Sequence, residues 1–528
     1  MNHIFLLAVL IGAAPTEQAD VLIKGAMIYD GSGQDGFVGD IAIKGDAIVA
    51  VGQWPGTAKQ TIDAKGLVAT PGLIDLHTHS DFTAGSGDES LLVDDATRDN
   101  YNYTSQGCTT VVTGNCGAGV VDVGAFFDKL DRNGVGSNVI HLLPHGDIRE
   151  RVFGSVNRPP TDKELKAMKA LIQKGMEDGA WGISTGLWYP PSSYAKTDEI
   201  IELTKVVGKR GGIHASHIRS EGAKVMDAVK EVIHIAQESD CPVQISHLKC
   251  STKVAWGKMG DVCGLIEAAR AKGIPVTADQ YPYTASQTGL ESYTTPAWAR
   301  EGGYRKLVER LDDPGQGKKI RKAIADTFER YGGPDRFQVA ICKHTPEYNG
   351  KNLAEIAKAA GKDPVDLVVE IIKGGKDTAR MIAFSMQEDD LLLAMKKPFV
   401  ATASDGAAAV PSAGRPHPRY FGTFPRKIGY FAIQRQVIPL AFAIRSASGL
   451  PADVLGLSDR GYIRKDCKAD LLIFDPETFR DKATFKDSNQ YSTGAKWVFV
   501  NGVAVIADGK KTGKLPGKAL RLNRDAGR

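Results

Sequence analysis

Eight short apolar segments alternate with longer amphipathic segments between residues 73 and 405, and this alternation limits the folds open to the chain. Strand-length apolar runs separated by helix-length segments are typical of βα units and a parallel sheet. The predicted strands are Leu73–His79, Cys108–Asn115, Val139–His145, Gly182–Tyr189, Gly211–Ile218, Pro242–Leu248, Pro275–Tyr283 and Phe399–Asp405. Eight units close a (β/α)8 barrel, so we predict an α/β fold of the TIM-barrel type over residues 71–439.

Two further regions complete the predicted organisation. The long gap between the seventh and eighth strands indicates an insertion over the barrel mouth, at about residues 286–345. Near both ends of the chain, short alternating segments separated by Gly-Asp and Gly-Ser turns are typical of antiparallel strands. We therefore predict one small β-sandwich domain, formed by residues 19–70 together with residues 440–528.

The N-terminal segment resembles a secretory signal. An apolar run, Ile4 to Ile11, is followed by small residues, which predicts a signal peptide within residues 1–18 and a periplasmic or secreted protein. Because the first residues contain no Lys or Arg, the alternative is a cytoplasmic protein with a buried N-terminal strand. No other run is long and apolar enough to span a membrane.

Composition excludes several classes of function. The 66 Lys and Arg residues nearly balance the 62 Asp and Glu residues, so there is no strong basic field and nucleic acid is not an expected partner. Seven cysteines in 528 residues, without a CxxC pair, do not form a disulfide framework. The partner predicted here is a small molecule.

Polar residues of the kinds that bind metals lie at or just after the carboxyl ends of five of the predicted strands. Because the carboxyl ends of barrel strands meet at one face, we expect these side chains to converge there. They are His77, His79, Cys116, His217, His247 and Asp405. This set offers enough nitrogen, sulfur and carboxylate ligands for one or two Zn²⁺ ions.

Each of these residues has an ordinary explanation when it is taken singly. A lone histidine is more often a hydrogen-bonded core residue than a ligand. Cys116 alone would be a small buried apolar residue, and Asp405 before a glycine could cap a turn. The recurrence of such residues at five strand ends is what favours a metal site.

These features resemble the amidohydrolase superfamily, and within it the D-aminoacylases. The resemblance is carried by the His-x-His of the first strand, Gly114-Asn-Cys-Gly117, His217-Ile-Arg-Ser-Glu-Gly222, Ile245-Ser-His-Leu-Lys249, Asp279-Gln-Tyr-Pro-Tyr-Thr-Ala285 and the segment from His417 to Arg426. It runs from about Ala19 to Arg521. Many superfamily members carry a bridging lysine carbamate on the fourth strand, whereas Gly182-Ile-Ser-Thr-Gly-Leu-Trp-Tyr-Pro-Pro191 contains no lysine.

The resemblance implies specific roles for the site residues. It implies a tight zinc held by Cys116, His217 and His247, and a second, weaker site at His77 and His79 that shares Cys116. Asp405, which also lies among the ligands, would act as general base and then protonate the leaving amine. Lys249, Tyr281 and Arg419 match residues that bind the substrate α-carboxylate.

We therefore predict a zinc-dependent hydrolase that cleaves N-acyl-D-amino acids to a carboxylate and a D-amino acid. The alternatives are a dipeptidase that releases a C-terminal D-amino acid, a cyclic amidase of the hydantoinase type, and a non-catalytic barrel. Two departures from the better-known members affect the predicted substrate pocket: the acidic segment Gly87-Asp-Glu89, and Gln287 in place of a small hydroxyl residue.

Overall fold

The computed structural model describes residues 17–82, 90–375 and 379–523. Almost all of the predicted signal peptide lies outside these residues, and so does Gly87-Asp-Glu89, so export stays a prediction. The first described strand, Gln18–Ile28, begins at the last residue of that predicted peptide. Among the described helices, none combines the length and the apolar character needed to cross a membrane.

Eight parallel strands form the centre of the molecule, in the order that the sequence predicts. Their bounds are Leu73–Asp75, Cys108–Thr113, Asn138–His141 with Leu143–Pro144, Gly182–Gly186, Ile213–His217, Val243–Ile245, Val276–Gln280 and Val400–Thr402. The first strand is hydrogen-bonded to the second, and the second to the third. From the third strand to the eighth, each strand is hydrogen-bonded to the next. A parallel bridge between Thr78 and Gly406 links the loop after the first strand to the loop after the eighth, which completes the ring.

The helices of the barrel follow its strands along the chain. They are Tyr101–Thr104, Val123–Asn133, His145–Phe153, Asp162–Glu177, Thr197–Gly208, Val225–Ser239, Met259–Ala271, Glu388–Met395, Arg419–Pro425, the π-helix Arg426–Gln434, Leu440–Ala447 and Gly449–Leu455. Local sequence explains where individual helices begin. Thr161 accepts a hydrogen bond from the Glu164 backbone while the Glu164 side chain accepts one from the Thr161 backbone, which is a capping box.

Strands from both ends of the chain form one hydrogen-bonded sheet of nine strands. They are Gln18–Ile28, Phe37–Lys44, Ala47–Gly52, Thr57–Asp63, Val68–Pro71, Leu471–Phe474, Ala495–Val500, Val503–Ala507 and Lys510–Lys511. The predicted bounds of the terminal β-domain include residues 440–455. In the structure these residues form the helices Leu440–Ala447 and Gly449–Leu455, which pack against the first and eighth barrel strands. Their apolar side chains are buried there, so residues 440–455 belong with the barrel.

The segment between the seventh and eighth strands forms a subdomain with its own core. Its antiparallel sheet consists of Ser286–Gly289, Phe337–Cys342 and Ala379–Ala383, and its helices are Leu290–Thr294, Tyr304–Asp312, Pro314–Tyr331, Leu353–Ala360 and Pro364–Lys373. The central strand of the sheet, Ala379–Ala383, lies beyond residue 345, where the prediction ended the insertion. The strand that comes last in the sequence therefore lies between the other two and pairs with both. Local patterns along the chain do not reveal this order.

Lys427 is buried in the π-helix, and burial lowers its pKa to about 7. In the unfolded chain the pKa of a lysine is near 10.4. Between about pH 7 and pH 10 the unfolded state therefore binds more protons than the folded state, so the stability of the parent should increase as pH rises. We expect Lys427→Met to raise the free energy of unfolding by roughly 1–4 kcal/mol at pH 7. The gain should shrink at pH 9.5, measured by urea denaturation at both pH values. An equal gain at both would mean that packing alone is responsible.

Candidate metal centre

The loops after the barrel strands surround a cavity of about 410 Å³. Its wall includes five of the six predicted ligands, namely His79, Cys116, His217, His247 and Asp405. The sixth, His77, is fully buried beside them. The structure therefore brings together every residue that the sequence analysis assigned to the metal site.

Cys116 lies at the centre of this group. Its Sγ atom is 3.3 Å from His77 Nε2, 3.7 Å from His217 Nδ1 and 3.7 Å from His247 Nε2. The ligand atoms of Cys116, His217 and His247 all lie within 4.8 Å of one another, and so do those of His77, His79 and Cys116. These two sets share one sulfur atom, and a third set at the same spacing, His77, His247 and Asp405, contains no sulfur.

Asp405 closes the other side of the group. Its Oδ1 atom is 3.1 Å from His79 Nε2 and 3.6 Å from His77 Nε2. The predicted strand Leu73–His79 in fact ends at Asp75, whose carboxylate accepts hydrogen bonds from the backbones of His77 and Ser404. The His77 and His79 rings follow this strand end and lie 5.3 Å apart.

Three of the candidate ligands have left-handed backbone conformations. The φ angles are 55° at Cys116, 38° at His247 and 52° at Asp405. Such a conformation costs on the order of 1–3 kcal/mol for a residue other than glycine and persists only where the surrounding structure holds it. Three such residues meeting in one cluster indicate that the loops are shaped to aim these side chains inward.

The charges in the cluster favour an ionised thiol and an ionised carboxyl group. Burial raises the pKa of Cys116, but His77 and hydrogen bonds from the neighbouring histidines lower that pKa well below its usual value. Burial likewise raises the pKa of Asp405, and Arg419 and His77 outweigh it, so the net shift is strongly downward. A thiolate and a carboxylate are the forms that bind metal.

Glu221 is a site residue that the sequence analysis did not assign. Its Oε1 atom is 3.0 Å from His247 Nδ1 and 2.5 Å from Lys249 Nζ. Burial raises the pKa of Glu221, but Lys249 and the two histidines hold it well below its usual value. A carboxylate at Nδ1 fixes the histidine tautomer that leaves Nε2 free to bind a metal. The acidic residue four positions after His217 was the available signal.

Asp279 is a second supporting carboxylate that was not assigned. It accepts a hydrogen bond from the backbone of His247 at 2.7 Å and from Gln244 Nε2 at 2.8 Å. Its Oδ1 atom is also 3.6 Å from His77 Nδ1. This residue at the end of the seventh strand therefore positions ligands of both sets.

The predicted substrate residues divide into two groups. Lys249 and Tyr281 line the cavity, and among the described residues the buried Tyr281 hydroxyl has no hydrogen-bond partner. Arg419 is not among the lining residues, so its contact with the substrate stays a prediction. Its Nη1 atom lies 2.9 Å from Asp405 Oδ2, and its guanidinium stacks on the Tyr281 ring, so it is held behind the cavity wall.

Arg380 is a cation on the cavity wall that the sequence analysis did not assign. It belongs to the insertion strand Ala379–Ala383, and among the described residues its buried Nε atom has no hydrogen-bond partner. A single cation within an apolar strand was the signal in the sequence. Gln287 also lines the cavity, where it donates to the Tyr420 hydroxyl and accepts from the His417 backbone.

The donor set fits zinc. One thiol and several imidazoles within bonding reach of a common point are the ligands that Zn²⁺ prefers, and the Glu221 carboxylate behind His247 supplies the usual outer support. Magnesium and calcium sites use oxygen ligands instead, so the chemistry of the group argues against them.

Comparison with known proteins agrees with this geometry. Residues 60–506 match the model of the amidohydrolase family. The chain is 34% identical to a D-aminoacylase of Alcaligenes xylosoxydans xylosoxydans, over 95% of this chain and 97% of that protein. A solved D-aminoacylase with a binuclear metal centre superposes with a TM-score of 0.80 at 32% identity, covering 96% of this chain and 100% of the other.

A second solved structure carries the metal and an inhibitor. It is an N-acyl-D-glutamate deacylase from Bordetella bronchiseptica in complex with zinc and a phosphonate that mimics the tetrahedral intermediate. It superposes with a TM-score of 0.81 at 30% identity, covering 96% of this chain and 100% of the other. The family match, the near full-length similarity to D-aminoacylases and the barrel show that the chain belongs to the amidohydrolase family, in its D-aminoacylase group.

Proposed function

We propose that this protein is a zinc-dependent hydrolase that cleaves N-acyl-D-amino acids into a carboxylate and a free D-amino acid. The observation that carries the proposal is the cluster of Cys116, His217 and His247 on the cavity wall, with Asp405 across from it. The D-aminoacylase and deacylase relatives support the substrate class.

Each residue of the cluster has a role in this proposal. Cys116, His217 and His247 hold the first zinc ion, and His77 and His79 hold a second, weaker one with Cys116. Bound zinc supplies a Lewis acid that polarises the amide carbonyl and lowers the pKa of water. Asp405 is the general base that removes a proton from the attacking water and then delivers it to the leaving nitrogen.

The α-carboxylate of the substrate needs positive charge near this cluster. Lys249, Tyr281 and Arg380 offer an ammonium, a hydroxyl and a guanidinium on the same cavity. A guanidinium binds a carboxylate through two parallel hydrogen bonds, so Arg380 is the best suited of the three. Arg419, predicted to bind the same carboxylate, also holds the Asp405 carboxylate in place, with Nη1 at 2.9 Å from Asp405 Oδ2.

The stereochemistry of the substrate tests the proposal. A bound α-carboxylate and a carbonyl placed at the metal cluster would fix two substituents of Cα, so the two enantiomers would direct their side chains differently and we expect one of them to give up a contact. Losing one charge-assisted hydrogen bond costs roughly 1.5–3 kcal/mol, or about 10- to 150-fold in rate. We expect N-acetyl-D-leucine to exceed N-acetyl-L-leucine by at least about 10²-fold in kcat/KM. Equal rates would refute the D-amino acid assignment but not the metal site.

A further inference from the structure

The turn from Gly114 to Gly117 carries Cys116, and a side chain from another strand binds both of its ends. A turn of this length is closed where the first carbonyl group meets the amide three residues later. The Ser184 hydroxyl contacts both of these groups. It donates a hydrogen bond to the carbonyl oxygen of Gly114 and accepts one from the amide of Gly117 at 3.0 Å. One side chain therefore clips the two ends of the turn together.

Ser184 lies on the fourth barrel strand, Gly182–Gly186, and is fully buried. The sequence of that strand contains no His, Cys, Asp or Glu, so it offers no side chain of the kinds that commonly bind zinc. A hydroxyl group has one hydrogen, which Ser184 gives to the Gly114 carbonyl, and its lone pairs remain for the Gly117 amide. The fourth strand thus supports the loop of a metal ligand without supplying a ligand itself.

Close packing confines the turn between its neighbours. A Cβ atom on Gly114 would lie 1.9 Å from the carbonyl oxygen of Leu142, and one on Gly117 would lie 2.7 Å from the amide nitrogen of Gly186. Between these two glycines Cys116 has a φ angle of 55°, which residues other than glycine rarely adopt. The conformation of the turn is therefore imposed by the segments around it.

Asn115 connects the same turn to the segment after the first strand. Its Nδ2 atom faces three backbone carbonyl oxygens, at 3.1 Å from Val112, 3.3 Å from Leu76 and 3.5 Å from Thr78. The carbonyl groups of Leu76 and Thr78 belong to the peptide groups that precede His77 and His79. Because Asn115 is only 1% exposed, water does not compete for these contacts.

We propose that Ser184 and Asn115 are positioning residues of the metal centre. Ser184 fixes the turn that aims the Cys116 thiolate, and Asn115 fixes the spacing between that turn and the pair His77 and His79. This proposal rests on the proposed function, from which it takes zinc as the bound metal. The two roles are separable, because the sulfur atom belongs to both proposed zinc sites whereas the spacing that Asn115 controls belongs to the second site.

Zinc titration of the metal-free full chain against a chelating dye measures both sites without turnover. We expect Ser184→Ala to weaken zinc binding at both sites by at least about tenfold, the lower end of the range for outer supports of metal ligands. We expect Asn115→Ala to weaken the second site by a similar factor and to leave the first site within about threefold of the parent.

Cobalt in place of zinc reports on the sulfur atom directly, through the absorption band of a thiolate bound to cobalt. At one equivalent of cobalt, we expect Ser184→Ala to weaken or shift this band, because the thiolate is no longer held in its position. Asn115→Ala should keep the band of the parent under the same conditions. A general loss of stability would not divide the two variants in this way.

Ser446→Ala is the matched control for Ser184→Ala. Ser446 is a buried serine on the helix Leu440–Ala447, and its hydroxyl likewise has two partners, the Ala443 carbonyl oxygen and the Thr402 hydroxyl. Its replacement should lower the unfolding temperature of the metal-free chain by an amount comparable to that of Ser184→Ala. The zinc affinities of both sites should stay unchanged.

The proposal is overturned if Ser184→Ala binds zinc within about twofold of Ser446→Ala and keeps the cobalt band of the parent. Equal weakening of both sites by Asn115→Ala would likewise overturn the separate role of that residue. Where Ser184→Ala does not fold without metal, zinc release from the loaded variant to excess chelator is followed together with circular dichroism. Release that precedes the loss of helix signal supports the proposal, and release only as the fold is lost overturns it.

Failure of the proposed function would give a different result from failure of these positioning roles. Zinc affinities that change as expected, in a parent that does not hydrolyse N-acetyl-D-leucine, would count against the proposed function alone. Hydrolysis by the parent with unchanged zinc affinities in Ser184→Ala and Asn115→Ala would count against the positioning roles alone.

Discussion

Asp405→Asn is expected to fold and keep its zinc while losing a factor of about 10²–10⁴ or more in kcat, the range for a general acid–base group. Asn keeps the shape of the side chain and tolerates the left-handed backbone at this position, where φ is 52°. It cannot take a proton from water. The loss should therefore fall on turnover, measured with N-acetyl-D-leucine under saturating conditions.

Asp147→Asn is the matched control, since it removes another cavity carboxylate outside the metal cluster. It should hydrolyse the same neutral substrate at nearly the parent rate. Residual activity of Asp405→Asn within tenfold of the parent, with normal zinc content, would assign the proton transfer to a different group.

Cys116→Ala is expected to lose both bound zinc and measurable activity. The sulfur atom belongs to two of the three sets of ligands, so its removal leaves each of those two sets with two imidazoles. Two ligands hold zinc weakly, and the lost charge of the thiolate weakens the site further. Zinc content after dialysis at neutral pH, together with kcat/KM, measures the effect.

Cys108→Ala provides the comparison for Cys116→Ala. Cys108 is a fully buried cysteine on the barrel strand that precedes Cys116, and burial raises its pKa well above the usual value, so it stays a neutral thiol. Its replacement should cost some stability but leave the zinc content unchanged. Full zinc in Cys116→Ala would mean that the ligand set is wrong and that this loop contributes only packing.

The metal cluster could be predicted from sequence because its residues stand at recurring positions after strands. Apolar periodicity marks the strands, and barrel geometry alone brings their carboxyl ends together. His217 ends its strand, and Cys116 and His247 follow theirs within three residues. No long-range information beyond the strand count is needed to place them on one face.

The substrate residues were harder to predict because they depend on contacts between distant segments. Arg419 and Arg380 are both single arginines near the mouth, and their local sequences do not say which one faces the cavity. The choice is made by an ion pair between Arg419 and Asp405 and by the pairing of Ala379–Ala383 at the centre of the insertion sheet. Both arise only when the barrel and the insertion have formed.

By itself, then, the sequence determined the barrel, the sheet built from both ends of the chain and the metal-binding side chains. These depend on periodicity and on which residue types follow each strand, and both are local properties. Only the tertiary structure decided the left-handed conformations at Cys116, His247 and Asp405 and the support of His247 by Glu221. These depend on distances between loops far apart in sequence, and such distances are set by packing of the whole fold.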